Sequence, residues 1–154
     1  MREASGPRWQ RSAAYASLAV PLVLADTSAW NRSHRAADRW AALIESNELA
    51  VCAPVMLELL YSARGKADYE RLAEDLAQFP SLPLDRRAEA LAAGTQAALA
   101  VRSQHRGPSP VDILIAAVAE ASGAALLHYD HHFDLIARVT GQPTEWLARR
   151  GSLD

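Results

Sequence analysis

Four acidic residues are candidates for chemistry because each one interrupts, opens or follows a run of apolar residues. Charged carboxylates are seldom kept on apolar elements unless they are paired or bind a metal ion. Carboxylates that meet at one place offer the hard oxygen ligands that Mg²⁺ and Mn²⁺ prefer. The pattern therefore predicts one shared, oxygen-rich metal site. Its proposed members are Asp26, Glu58, Asp112 and Asp130.

Each acid also has a purely structural interpretation. Residues 109–112 read Ser-Pro-Val-Asp, the form of a capping box, so Asp112 could only cap a helix. Asp26 and Asp130 could cap the segments that follow them. Glu58 could lie on a solvent-facing helix edge, although its neighbours are apolar and no Lys or Arg lies three or four residues away. One carboxylate can cap with one oxygen and bind a metal with the other, so both interpretations stay open.

The elements that must position these acids follow from the periodicity of the chain. Short apolar runs predict strands at 22–25, 49–53, 82–84 and 124–127, with a strand or turn at 144–147. Amphipathic segments predict helices at 35–46, 54–64, 68–79, 85–104, 110–122 and 133–139. This alternation indicates an α/β fold with a mainly parallel, short-stranded sheet between two helical layers. In such sheets functional groups collect beyond the carboxyl ends of the strands, where Asp26 and Asp130 are expected.

The composition is that of an ordinary soluble domain. The chain has 154 residues, of which half are hydrophobic, and a net charge of -2, so no overall basic field indicates nucleic acid. Cys52 is the only cysteine, which excludes an intrachain disulfide and suits the cytoplasm. No stretch is long enough to cross a membrane. We expect residues 1–20 to be a flexible extension or a misassigned start, with only a faint likeness to a signal peptide, and residues 21–150 to form the domain.

The surroundings of the four acids resemble those of a known family. The segments 24–30, 53–59, 112–119 and 126–133 read LADTSAW, APVMLEL, DILIAAVA and LLHYDHHF. In this order and at these distances they resemble the PIN-domain ribonucleases, specifically the VapC-type toxins of bacterial toxin–antitoxin modules. The likeness extends over residues 22–147.

The resemblance implies a fold and an activity. It implies a PIN-like α/β/α sandwich and an endoribonuclease that uses Mg²⁺, with Mn²⁺ as a substitute, and leaves 5′-phosphate and 3′-hydroxyl ends. By this resemblance, the acidic quartet of the active site would consist of Asp26, Glu58, Asp112 and Asp130. A hydroxyl of Thr27 or Ser28 would support it. The protein would act in the bacterial cytoplasm, as a homodimer held inactive by a VapB-type antitoxin whose C-terminal segment covers the active-site groove.

Two positions depart from the family pattern. The family commonly has Thr or Ser two residues before the fourth acid, where this chain has His128, and a further Asp two residues after it, where this chain has His132. Asp130 is therefore the least certain of the four ligands, and a second metal site would depend on His132.

RNA binding would need cationic and stacking groups at the rim of the site. The candidates are Arg32, Arg35, Arg64, His131 and His132, with His34 and Trp30 as further ones. The alternatives are solvated surface for the arginines and core packing for Trp30. A dimer or antitoxin surface could be formed by apolar residues of the helices that begin near residues 54 and 68, although core packing is the simpler interpretation. The candidates are Met56, Leu60, Tyr61 and Tyr69.

Other functions remain to be weighed. A PIN-like module could bind RNA or protein without cutting, and His132 keeps that alternative open. Another Mg²⁺-dependent phosphoryl hydrolase fits less well, because the phosphatase pattern needs an Asp where Ser28 stands. A phosphoacceptor domain needs a late lysine, and the only lysine is Lys66.

Overall fold

The central sheet has five short parallel strands. The structure is a computed structural model that describes residues 21–154, so the predicted extension over residues 1–20 lies outside it and the domain boundary stays a prediction. The strands lie in the order β3-β2-β1-β4-β5. They are β1 (Val23–Ala25), β2 (Leu49–Cys52), β3 (Ser81–Leu82), β4 (Ala125–His128) and β5 (Thr144–Trp146). A strand lies at or beside each of the five predicted regions. β3 begins one residue earlier than predicted and ends before Pro83, and it lies at an edge of the sheet as predicted.

Within residues 21–154, seven α-helices connect and cover the strands. They are α1 (Thr27–Arg32), α2 (Ala37–Glu45), α3 (Ala53–Tyr61), α4 (Lys66–Leu76), α5 (Arg86–Val101), α6 (Pro110–Ser122) and α7 (His132–Thr140), with a 3₁₀ turn at Ser33–Ala36. Each predicted helix is present. Helix α3 ends three residues before the predicted end at Arg64. The Ser62 hydroxyl donates to the Leu59 carbonyl, which draws the chain out of the helix.

The alternation of side chains along β1 divides the interior into two layers. Leu24 contributes to a large cluster that includes residues of α3, α5, α6 and α7. Val23 and Ala25 point the other way, into a smaller cluster with Ala29 of α1 and Trp40 of α2. A strand with helices on both faces must be apolar throughout, and β1 and β2 are fully buried. The predicted three-layer sandwich is confirmed.

The strand order creates a switch point between β1 and β4. The chain moves from β1 to β2 and β3 on one side and then returns to form β4 on the other side of β1. Two hydrogen bonds join the loops that leave these strands: the Asp26 N–H donates to the Leu127 carbonyl at 2.8 Å, and the Tyr129 N–H donates to Ser28 Oγ at 2.9 Å. The ends of β1 and β4 are thus fixed side by side.

A clamp by Arg39 fixes the last strand. Its guanidinium donates to the carbonyls of Trp146 and Leu147 and pairs with the Glu145 carboxylate at 2.8 Å. These contacts explain why residues 144–146 form a strand where the sequence left a turn equally open. Within residues 21–154, no helix is both long and apolar enough to cross a membrane.

The single cysteine provides a test of the packing. Cys52 is fully buried at the end of β2, and burial raises the pKa of its thiol to about 12. Because the thiolate is the nucleophile, we expect no alkylation of the folded protein by iodoacetamide near pH 8 and full alkylation in denaturant, as measured by intact mass. Equal labelling in both conditions would contradict this packing.

Candidate active site

Asp26 lies at the centre of the site, immediately after β1. Its Oδ2 accepts a hydrogen bond from the Ser28 N–H at 2.9 Å, so the residue caps α1. Only 3% of the residue is exposed, and its Oδ1 has no hydrogen-bond partner among residues 21–154. A buried carboxylate with an unpartnered oxygen is costly in a structure that has no use for it. Capping therefore accounts for only one of its two oxygens.

The pKa of Asp26 reflects this environment. Burial raises it from the usual 3.8 to about 6, hydrogen bonding from Ser28 offsets part of that rise, and the charges of Asp112 and Glu58 add to it. Glu58 of α3 and Asp112 of α6 therefore each lie within electrostatic reach of Asp26, which follows β1. The tertiary fold gathers three of the four acids that the sequence proposed for one site.

Glu58 lies near the middle of α3, on an exposed face. This is the solvent-facing helix edge that the sequence left open as its structural interpretation. Its Oε1 accepts a hydrogen bond from Thr27 Oγ1 at 2.8 Å. Thr27 thus holds the Glu58 side chain beside Asp26, which fits the supporting role expected of it.

Asp112 combines a cap with a free oxygen. Its Oδ2 accepts from the Ser109 N–H at 2.9 Å, while its own N–H donates to Ser109 Oγ at 3.1 Å. The predicted capping box is therefore present, with Pro110 in the first turn. The same residue raises the pKa of Asp26, so the cap does not remove it from the site. One oxygen of this carboxylate caps the helix and the other takes no part in the cap, so the double role that the sequence allowed stays open.

Asp130 has hydrogen-bonding and charged neighbours that differ from those of Asp26. It follows β4, and its Oδ1 accepts from the His132 N–H at 2.9 Å, at the start of α7. It is not among the charges that raise the pKa of Asp26. Its nearest titratable neighbours are His131 and His132, whose Nδ1 atoms lie 3.6 and 3.3 Å from Oδ1. Its membership in one shared metal site stays a prediction.

His128, which replaces the family's Thr or Ser, supports the Asp130 loop from within. It is fully buried, and its ring packs against Phe133 and Trp146. Its Nδ1 accepts from the Asp130 N–H at 3.3 Å. Burial lowers its pKa, so the neutral ring remains a hydrogen-bond acceptor.

Asp26 and Asp112 each keep a carboxylate oxygen that could bind a divalent cation, and Glu58 adds a third carboxylate beside Asp26. Asp26 Oδ1 is unpartnered, and Asp112 uses only Oδ2 in its cap. Oxygen ligands of this type suit Mg²⁺ and Mn²⁺. No three of the four acids bring ligand atoms within 4.8 Å of one another, whereas Asp130, His131 and His132 do so; this comparison covers residues 21–154. The carboxylate oxygens of Asp26, Glu58 and Asp112 are therefore spaced more widely than the ligand atoms of Asp130, His131 and His132.

The proposed RNA-binding residues fall into different environments. The Arg32 guanidinium lies 4.8 Å from the centre of the Tyr129 ring, next to the loop that carries Asp130. Arg35 is exposed but donates to the Leu153 carbonyl, which holds the C-terminal segment. Arg64 is highly exposed and pairs with Asp68 at 3.7 Å. Arg32 is therefore the cation best placed beside the site.

The aromatic candidate Trp30 packs in the interior. Its ring makes edge contacts with Trp40 and Phe79, so the core alternative describes it better than base stacking does. Tyr129 was missed by the sequence analysis. The Tyr129 backbone N–H donates to Ser28 Oγ, and the Tyr129 hydroxyl accepts a hydrogen bond from the Leu153 N–H at 2.8 Å. The Arg32 guanidinium lies over the face of the Tyr129 ring. No local sequence signal marks such a residue, since its contacts come from distant segments.

An apolar groove of about 540 Å³ adjoins the carboxylates. Thr27 and Glu58 form its polar end, and most of the remaining lining is hydrophobic. Leu57 and Tyr61, on α3, are 67% and 93% exposed. Of the residues proposed for a partner surface, Leu60 is buried and Met56 packs against the core. The other lining residues are Ala53, Pro54, Leu84, Val111 and Leu114.

Comparison with known proteins decides the family. The PIN-domain family model matches residues 23–139. This chain belongs to the PIN-domain family. Ribonuclease VapC18 of Mycobacterium tuberculosis is 40% identical over 132 residues, which cover 83% of this chain and 96% of the relative. Ribonuclease VapC51 of the same organism is 42% identical over 133 residues, covering 85% and 96%. This PIN domain is accordingly a VapC-type ribonuclease, as the motifs predicted.

Solved structures agree with this PIN-domain assignment at the level of the fold. The DNA-bound VapBC complex of Salmonella typhimurium contains a chain that matches with a TM-score of 0.67 and 17% identity, covering 84% of this chain and all of that one. A chain of the DNA-bound VapBC2 complex of Rickettsia felis matches with a TM-score of 0.68 and 16% identity, covering 81% and 98%.

The desolvation of Asp26 predicts a specific pH dependence of stability. Its carboxyl binds a proton more tightly in the folded protein (pKa about 6) than when unfolded (3.8). The contribution of Asp26 to the free energy of unfolding is therefore fully present below about pH 4, and it falls by up to about 3 kcal/mol as the pH rises to 7. The test uses urea titrations of Asp26→Asn and the wild type in the presence of a metal chelator. Between pH 4 and pH 7, we expect the difference between their free energies of unfolding to change by up to about 3 kcal/mol. Parallel pH profiles in urea titrations would contradict it.

Proposed function

We propose that this VapC-type ribonuclease is a Mg²⁺-dependent endoribonuclease and the toxin of a toxin–antitoxin pair. The observation that supports the metal most strongly is the unpartnered Oδ1 of buried Asp26 beside Asp112 and Glu58. An oxygen in this environment gains most from a cation, because a cation removes both the desolvation penalty and the mutual repulsion. Asp26 and Asp112 would hold the ion, and Mn²⁺ would substitute for Mg²⁺.

The bound ion would act as a Lewis acid that offsets charge on the scissile phosphate and favours ionisation of water. Glu58 would orient the attacking water and accept its proton, since its carboxylate is exposed and held by Thr27 at 2.8 Å. Arg32, braced on Tyr129, would contact a phosphate of the RNA. Asp130, held by His128 and by the turn at His132, would lie at the outer edge of the site.

The apolar groove supports a protein partner for the same site. Relatives of this fold are solved as VapBC complexes, and we propose a VapB-type antitoxin for this chain. An amphipathic segment laid along Leu57 and Tyr61 would bury their exposed area and end beside Thr27 and Glu58. Such a segment would block the approach of RNA. A homodimer and a cytoplasmic location belong to the same proposal.

A matched pair of variants separates the two functions of Asp112. Asp112→Asn keeps a capping acceptor but loses the anionic oxygen, so we expect cleavage of RNA in Mg²⁺ to fall by more than about a hundredfold, with little loss of thermal stability. Ser109→Ala removes the cap hydroxyl, so we expect a loss of about 1 kcal/mol in stability with cleavage retained. Gel assays of a mixed RNA pool, with and without EDTA, measure the first effect.

The opposite outcome would overturn the metal proposal. If Asp112→Asn cleaves RNA at the wild-type rate, or if EDTA leaves cleavage unchanged, Asp112 serves only as a cap and the reaction does not need the ion.

A second pair of variants tests the groove. Leu57→Arg places a charge on the apolar lining, so we expect at least about tenfold weaker binding of the antitoxin, because a buried charge without a partner is unfavourable. RNA cleavage without antitoxin should persist. Val101→Arg is the control, because Val101 is 88% exposed at the end of α5 and does not line the groove. Co-purification and titration with the antitoxin measure both, and equal effects of the two variants would refute this docking site.

A further inference from the structure

We propose that Asp130, His131 and His132 form a second metal site, which selects a borderline transition-metal ion such as Ni²⁺, Zn²⁺ or Co²⁺ over Mg²⁺. The site lies at the loop between β4 and α7. It is distinct in its ligands from the carboxylate site at Asp26, Glu58 and Asp112, and it does not depend on the proposed RNA cleavage.

The distances between the three side chains match those around a coordinated ion. Their ligand atoms all lie within 4.8 Å of one another. Asp130 Oδ1 lies 3.3 Å from His132 Nδ1 and 3.6 Å from His131 Nδ1. Two ligand atoms about 2.1 Å from a tetrahedral ion are separated by about 3.4 Å. Little movement is therefore needed for the three atoms to contact one ion.

The two imidazoles are free to act as ligands. Neither contact with the Asp130 carboxylate has hydrogen-bond geometry; the hydrogen bond to Oδ1 comes instead from the His132 backbone N–H. The side chains of His131, His132 and Asp130 are 54%, 31% and 33% exposed. The group is thus reachable from solvent, and water can complete the coordination.

The carboxylate is held in place before any ion binds. The backbone N–H of Asp130 donates to buried His128, and its backbone carbonyl accepts from the Phe133 N–H at 3.2 Å. Its Oδ1 accepts from the His132 N–H at 2.9 Å. A ligand fixed by several hydrogen bonds loses little freedom on binding an ion, which favours affinity.

The donor set determines which ions are preferred. Two imidazole nitrogens and one carboxylate oxygen suit Zn²⁺, Ni²⁺ and Co²⁺, whereas Mg²⁺ prefers oxygen and retains its water. The neighbouring carboxylate site offers oxygen only. The protein would therefore sort two ions between two adjacent sites by ligand chemistry.

A large excess of Mg²⁺ would fill the oxygen-only carboxylate site, so that binding of Ni²⁺ to the second site can be measured alone. Untagged full-length protein is titrated with Ni²⁺ in a large excess of Mg²⁺, by calorimetry and by paramagnetic broadening of the imidazole NMR signals. We expect about one equivalent of Ni²⁺ per chain. His131→Gln and His132→Gln should each weaken binding by at least about tenfold. His132→Asp should reduce the preference for Ni²⁺ over Mg²⁺, because it replaces a nitrogen ligand with oxygen.

Two controls identify the ligands. His34→Gln changes an exposed histidine elsewhere, and Asp26→Asn changes the carboxylate site; both should bind Ni²⁺ as the wild type does. Thermal unfolding checks that each variant is folded. Binding that survives both Gln variants, or that is lost in Asp26→Asn, would overturn the second site. Neither readout involves RNA, so failure of Mg²⁺-dependent cleavage would be a separate result.

Discussion

The carboxylate of Asp26 is held in the interior because β1 is the central strand and ends against its neighbours. Its backbone N–H continues the pairing with β4, through the Leu127 carbonyl. Its side chain must then lie under α1, with Oδ2 capping the helix and Oδ1 unpartnered within residues 21–154. The arrangement is unfavourable for folding by itself, since burial raises the pKa of this group to about 6. The proposed cation would offset this penalty, because it favours the charged form of the carboxylate.

The other parts of the site are organised around that residue. Thr27, the first residue of α1, directs the Glu58 side chain from α3. Ser28, the second, accepts from the Tyr129 N–H and so fixes the loop after β4. Three consecutive residues thus connect three separate segments of the chain. Asp112 caps α6 through Oδ2, and its charge also raises the pKa of Asp26.

The immediate surroundings of Asp130 follow from its local turn. Its carboxylate is directed toward the start of α7 by the His132 N–H, and buried His128 holds the backbone of the same loop. Two histidines then take positions beside Oδ1. The sequence placed Asp130 with the other acids on the strength of its position after a strand. The structure adds two imidazole rings beside it, and its membership in the shared carboxylate site stays a prediction.

The sequence by itself determined the element types, the caps and the identities of the candidate ligands. Those features depend on periodicity and on contacts between residues three or four positions apart, such as the Ser109–Asp112 capping box. The motifs around the acids also identified the family that the comparisons confirm. Only the tertiary structure decided that Glu58 is exposed and held by Thr27, that Trp30 packs in the core and that Tyr129 supports Arg32. These facts depend on residues far apart in the chain, whose distances are fixed by the order and register of the strands rather than by any local pattern.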